Sequence, residues 1–345
     1  MLEDHMTHAV PARAVHTAQP SAMDQLHSVR PISPSLQLVA CIDSRRSAAA
    51  VAAHAAAIAP CLGLSPVMAT VIDSAAGDGP SDPISWHARQ TQQEKELRRL
   101  GREVGFGTGC RIVTETGCPH DTLPRIVQRV GASLVVAAKR DDPRLPGLGA
   151  TATNLLERTD GALLLVSPED TPAKVRYRRI LVPIDGSARA DSALPVAQRI
   201  AREHDAELWL VHVLPLLTVV DEQRSPHMRD LRNTLNDHNR RNLERHMRAL
   251  QVQLPRSGTK ARVQIAGPGD PRLILRHLLE TEGADLVVMT SHGTTGIESL
   301  SCGSVAQFLI GQPKVPVLVL RPGFHCENWF PLAPGRSVQS AFSFN

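Results

Sequence analysis

Two stretches of this chain repeat each other in order, and that duplication restricts its possible folds more than any other feature. Gly131-Ala132-Ser133-Leu134-Val135-Val136 returns as Gly283-Ala284-Asp285-Leu286-Val287-Val288. Ala162–Pro168 (ALLLVSP) returns as Pro316–Pro322 (PVLVLRP), and Asp43 at the end of one apolar run matches Asp185 at the end of another. Two arbitrary α/β domains would share a general pattern, but not both ends and the glycine turn in one order. An internal duplication of about 140 to 150 residues accounts for all three matches.

Each copy alternates short apolar or β-branched runs with helical segments. In the first, strands are expected at Leu36–Asp43, Ser65–Asp73, Gly109–Gly117, Ser133–Ala138 and Ala162–Val166, with helices at Ser47–Leu62, Trp86–Val104, Asp121–Val130 and Thr151–Arg158. The second copy opens with Arg178–Ser187 and a helix over Arg189–His204. It continues through strand Glu207–Leu216, a charged helix near Met228–Leu250, strand Ala261–Gly267 and helix Pro271–Thr281. Strand Leu286–Thr290, a helix opening at Cys302-Gly303-Ser304 and strand Val317–Arg321 close it. Such alternation implies parallel strands joined by right-handed crossovers. The expected layout is a flexible arm (1–34), a first domain (35–167), a linker (168–177), a second domain (178–322) and a tail (323–345).

Composition narrows the partners. Hydrophobic content is 42% but aromatic content only 3%, so the cores must be built from Ala, Val, Leu and Ile. No apolar run reaches the roughly 18 residues of a spanning helix, and the N-terminus has no apolar signal core. The expectation is a cytoplasmic protein without a membrane. A charge of +4, with basic and acidic residues interspersed, gives no nucleic-acid stripe. The six cysteines form no C-x-x-C pair and are expected to be free thiols. His227, His238 and His246 share one helix at offsets of 11 and 8, which suits a solvated face and not a metal site. P-loop and G-x-S-x-G motifs are absent, and the glycine clusters at Gly105–Gly109 and Gly147–Gly149 lack the dinucleotide spacing.

The informative stretch is Ala284–Pro322. After a buried strand it carries Gly293 and Gly303 with nine residues between them, then Ser304. Glycines allow a backbone to approach an anion, and free N–H groups at a helix start attract one. A nucleotide's phosphates are the expected occupant.

On these residues both halves resemble the universal stress protein family, weakly over about 35–167 and strongly over 178–322. The resemblance implies two tandem doubly wound parallel sheets of five strands, order 3-2-1-4-5, of the adenine nucleotide alpha hydrolase-like kind. ATP-binding members carry G-x2-G-x9-G-[ST]. The matching positions are Thr290, Gly293, Gly303 and Ser304, of which only Thr290 departs, standing where the first glycine belongs. By the same resemblance Asp185, in Pro183-Ile184-Asp185, lies by the adenosine end, and the Val213 backbone meets the adenine. Met289, Thr290, Ser291, His292, Gly293, Gly303, Ser304, Val305 and Ala306 line the phosphate side. The implied ligand is ATP, with or without Mg2+. Asp185 also has a plainer reading as a tether of its own loop. His292 is expected to position backbone, and Cys302 to be a buried inert thiol.

The first copy departs from this pattern. Val136 to Gly149 is 13 positions where Val288 to Gly303 is 15, Asp141 stands for Gly293, and Ala150 stands for Ser304. Asp141 and Asp142 would repel phosphate, with Lys139, Arg140 and Arg144 offsetting them in part. ATP is therefore expected only in the second half, and a sensor or regulator of the stress response is the implied role. A nucleotide-free partner-binding module and a slow ATPase remain as alternatives. By the same resemblance the last strands, Leu163–Val166 and Val317–Leu320, are expected to pair within the chain, and an unknown protein partner or a homodimer to engage elsewhere.

Overall fold

The first copy runs, in the computed structural model, β1 (Gln37–Ile42), α1 (Arg45–Leu62), β2 (Ser65–Asp73), α2 (Pro83–Glu103), β3 (Arg111–Gly117), α3 (Pro119–Val130), β4 (Ala132–Ala138), α4 (Ala150–Arg158) and β5 (Ala162–Val166). The second runs β6 (Arg179–Pro183), α5 (Ala188–Asp191), α6 (Leu194–His204), β7 (Glu207–Pro215), α7 (Pro226–Arg256), β8 (Ala261–Gly269), α8 (Pro271–Glu282), β9 (Leu286–Thr290), α9 (Ser304–Ile310) and β10 (Val317–Leu320). The structure describes residues 36–42, 45–73, 83–107, 109–139, 148–168, 174–215, 226–256, 258–292, 302–312 and 315–321.

The strands form one sheet in the order β3-β2-β1-β4-β5-β10-β9-β6-β7-β8. Each half has the 3-2-1-4-5 order, and the two five-stranded sheets merge where β5 and β10 pair antiparallel, Leu165 opposite Val317 and Ala162 opposite Leu320. All the other pairs are parallel. The junction satisfies two strand edges that each half alone would expose.

Parallel strands covered on both faces read as continuous apolar runs, and β4, β5, β9 and β10 do. Their period of two splits the side chains into two cores. Ile180, Val182, Leu286, Val288, Leu318 and Leu320 face one side, under α1, α6 and α7. Leu181, Val287, Met289, Val317 and Val319 face the other, under α3, α4, α8 and α9. Both cores contain residues of both halves.

The repeated glycine turn has a backbone cause. Gly131 ends α3 and Gly283 ends α8, with φ of 69° and 71°, a left-handed conformation that only glycine adopts without strain. The helices also begin alike, with Pro119 and Pro271 at their starts, where the missing N–H needs no partner.

One expected element divides. The helix read over Arg189–His204 is two, α5 and α6, separated at Ser192 and Ala193. Pro195, in the first turn of α6, has no N–H to offer the Asp191 carbonyl, and its ring would crowd that carbonyl in an unbroken helix.

The halves also lock through α1 and α6. Tyr177 is 1% exposed and its hydroxyl is hydrogen bonded to His54 Nδ1 at 2.8 Å. Its backbone N–H donates to His204 Nδ1 (3.3 Å), while His204 Nε2 donates to the Ala57 carbonyl (3.2 Å). That pattern requires neutral His204, and burial holds its pKa below the ordinary value. Arg199 Nε donates to the Cys61 carbonyl at 2.5 Å.

Candidate functional site

In the second half, β6 and β9 are neighbours, Ile180 beside Leu286. The chain leaving β6 enters α6 on one face of the sheet, and the chain leaving β9 enters α9 on the other. Loops that part in this way leave a crevice beyond the carboxyl ends of the two strands, the usual ligand position of doubly wound sheets.

The β6 wall comprises Pro183, Ile184 and Asp185. Ile184 is held from both sides: its N–H donates to the Val211 carbonyl (2.8 Å) and its carbonyl accepts from His212 Nδ1 (2.7 Å). Asp185 is exposed, and its Oδ1 accepts from the Ser187 N–H (3.0 Å) and hydroxyl (2.6 Å). Ser187 Oγ in turn accepts from the Ala190 N–H and caps α5. The carboxylate thus does tether its own loop. Gly186, at φ 82°, lets the chain turn there. Val213 lies in β7 next to the β8 edge, paired with Ala266 and 8% exposed.

The β9 wall is buried. Met289 ends the apolar run, and the Thr290 hydroxyl turns inward to donate to the His292 carbonyl (2.8 Å). Ser291 N–H donates to the Leu320 carbonyl (2.8 Å), and Ser291 Oγ is hydrogen bonded to His292 Nδ1 (3.1 Å). His292 Nε2 is buried with no hydrogen-bond partner among the described residues. Gly303 N–H donates to the Ser291 carbonyl at 2.7 Å. A Cβ on Gly303 would stand 3.3 Å from that carbonyl oxygen and 3.7 Å from His292 Cα. The glycine is therefore needed to seat α9 against the end of β9. Ser304 is exposed, Val305 half-buried and Ala306 buried in the core. Gly293 lies outside the described residues.

Cys302 is buried, its thiol donates to the Ser291 carbonyl (3.4 Å), and burial pushes its pKa up to about 11. It is a packing thiol. The described cysteines, Cys41, Cys61, Cys110, Cys118 and Cys302, are all free.

Sequence reading missed a polar cluster behind the β6 wall. His246 does not lie on a solvated face, as its helix spacing suggested. Its Nε2 donates to both Asp191 oxygens, at 3.2 and 3.1 Å, and both side chains are largely buried. The hydrogen bond to Asp191 raises the His246 pKa above its ordinary value. His212, nearby, is shifted down by burial, with His246 adding to that and Asp185 opposing it. The available signal was alternation: His212 must face the side opposite Val213, where α7 packs.

Among the described residues of the first half, the position of the β9 wall serves another contact. Lys139, at the position of Ser291, reaches toward the other half. Its Nζ donates across the junction to the carbonyls of Gln312 (2.6 Å) and Val315 (2.7 Å). Asp43, Arg140, Asp141, Asp142 and Arg144 lie outside the described residues.

The family model for universal stress proteins matches the chain twice, over residues 36–167 and 176–321. A universal stress protein of Mycobacterium tuberculosis is 27% identical over 202 residues, 58% of this chain and 62% of the relative, so the match spans less than two thirds of that protein. Another, from Mycolicibacterium smegmatis, is 28% identical over 261 residues, 74% of this chain and 81% of its own length. A solved universal stress protein from Archaeoglobus fulgidus shares the fold, with a TM-score of 0.57 at 17% identity over 84% of this chain and 98% of that one. With both halves matched in tandem, the chain belongs to the universal stress protein family.

Proposed function

We propose that this protein binds ATP in the second half's crevice and serves as a sensor or regulator in the stress response. The observation that carries the reading is the divergence of α6 and α9 from adjacent strands β6 and β9. In this reading Asp185, Thr290, Ser291, His292, Gly303 and Ser304 stand around one opening. Two features fit a polyphosphate: the close glycine seat at Gly303 and the buried His292 Nε2, which has no partner among the described residues and offers a proton or a lone pair. Asp185, at the exposed end of β6, would lie by the adenosine end, and the Val213 backbone, near the β8 side, suits the adenine edge. The phosphates would fall to Met289–Gly293 and Gly303–Ala306, with Mg2+ carried in on the nucleotide.

A nucleotide-free partner-binding module is the second reading, favoured by Thr290, whose hydroxyl is already spent on the loop's own carbonyl. The nucleotide content of the purified full chain separates the two. Denaturation should release an adenine nucleotide, at no more than one per chain. Material that carries none and takes up none from millimolar ATP would support the module instead.

A further inference from the structure

We propose that Cys118, His120 and Asp121 form a binding site for a single zinc-class divalent cation at the carboxyl end of β3, in the half that has lost the phosphate loop. The three side chains offer one thiol, one imidazole and one carboxylate, with their ligand atoms all within 4.8 Å of one another. His120 Nε2 lies 3.7 Å from Cys118 Sγ and 3.4 Å from Asp121 Oδ2. A tetrahedral zinc ion with ordinary bond lengths separates sulfur from nitrogen by about 3.6 Å and nitrogen from oxygen by about 3.3 Å. Seating the ion takes a turn of the exposed His120 ring, so that one nitrogen's lone pair faces the sulfur, and closure of the sulfur and carboxylate from within 4.8 Å onto the metal. His120 Nδ1 stands 2.9 Å from the same sulfur, so without metal the thiol and ring are hydrogen bonded. A cation would replace the thiol proton and release it to solvent.

The turn that gathers these residues is built in. Gly117 has φ 146°, and a Cβ there would come within 2.7 Å of Thr122 Oγ1, so the chain folds tightly from β3 into α3. Cys118 is the extended residue before the helix, and Pro119 fixes the first turn. From α4, Asn154 Nδ2 donates to the His120 carbonyl at 2.9 Å and holds the turn from behind. Cys118 is half-buried, while the His120 and Asp121 side chains are 43% and 59% exposed, which leaves an entry path.

The other half supplies a contrast. There Asp270 and Arg272 flank Pro271 as Cys118 and His120 flank Pro119, and they close on each other in a salt bridge of 2.6 Å. An acid and a guanidinium cannot hold a cation between them. Thiol, imidazole and carboxylate can, and a mixed soft and hard donor set selects zinc-class ions over magnesium or calcium, which want oxygen alone. Three protein ligands leave a fourth position for water.

The test uses the reduced, metal-stripped full chain, titrated with Zn2+ against a chromophoric chelator and, separately, with Co2+. The expected result is one ion per chain and a Co2+ spectrum with thiolate charge-transfer and tetrahedral bands. Cys118→Ser, which retains a good helix-capping residue, and His120→Gln should each weaken binding by at least about tenfold. Cys110→Ser should leave it unchanged. Binding well below one per chain, a Co2+ spectrum without the thiolate band, or equal affinity in Cys118→Ser and His120→Gln would overturn the proposal. None of these readouts depends on ATP.

Discussion

Lys139 Nζ lies 2.6 Å from the carbonyl oxygen of Gln312, so the residue that follows β4 in one half is anchored in the connection between α9 and β10 of the other. Lys139 is 8% exposed, and burial pushes its pKa down to about 7 from an ordinary 10.5. What in the second half is a wall of the crevice has become, in the first, a clasp between halves.

The clasp gives stability a particular pH dependence. Between about pH 7 and 10.5 the unfolded chain holds a proton on Lys139 that the folded chain has released. Stability from this group therefore rises with pH through that window, by at most about 1.4 kcal/mol per pH unit. Urea unfolding of the wild type and Lys139→Met at pH 7 and pH 9 should show the variant's curve flatter. Equal slopes in the two proteins would refute the assignment.

Tyr177 seals the second contact between halves. Tyr177→Phe would leave His54 Nδ1 without its 2.8 Å partner inside the core. The expected cost is about 1–3 kcal/mol, read from the urea midpoint, with the ten-stranded sheet retained. A variant as stable as the wild type would mean that His54 finds another partner there.

His246 should titrate above its ordinary value because of Asp191. A raised histidine contributes stability fully present below the unfolded pKa, near 6.5, and loses it as pH rises through the folded value. Asp191→Asn should then destabilise more at pH 5.5 than at pH 8, and NMR should show His246 titrating at lower pH in the variant. An unchanged His246 titration would break the link.

Much of the architecture was legible in the residues, and the reasons are local. Gly131 and Gly283 are demanded by a left-handed backbone, and the apolar runs Leu134–Val136 and Leu286–Val288 by burial on both faces. Strand order and the β5–β10 junction also agree with what the family resemblance implied. Fine boundaries were not legible: α7 runs Pro226–Arg256, beyond the Met228–Leu250 that its leucine stripe marks. Contacts of long sequence separation were harder still. His246 and Asp191 are 55 residues apart, and Lys139 and Gln312 are 173 apart, with no periodic trace to pair them. At the candidate site the glycine seat and the burial of Cys302 could be anticipated from motif and pattern. The inward turn of the Thr290 hydroxyl and the hold of His212 on Ile184 could not, since both depend on how neighbouring strands end.

Calorimetric titration of ATP into the nucleotide-stripped full chain, beside Gly303→Asp, tests the central claim most directly. A carboxylate at residue 303 would press on the Ser291 carbonyl, 3.3 Å from where its Cβ must stand, and repel phosphate. The account predicts one ATP per wild-type chain and binding at least about tenfold weaker in the variant, a loss of about 1.4 kcal/mol or more. No binding by the wild type, two equal sites per chain, or an unchanged affinity in Gly303→Asp would contradict it.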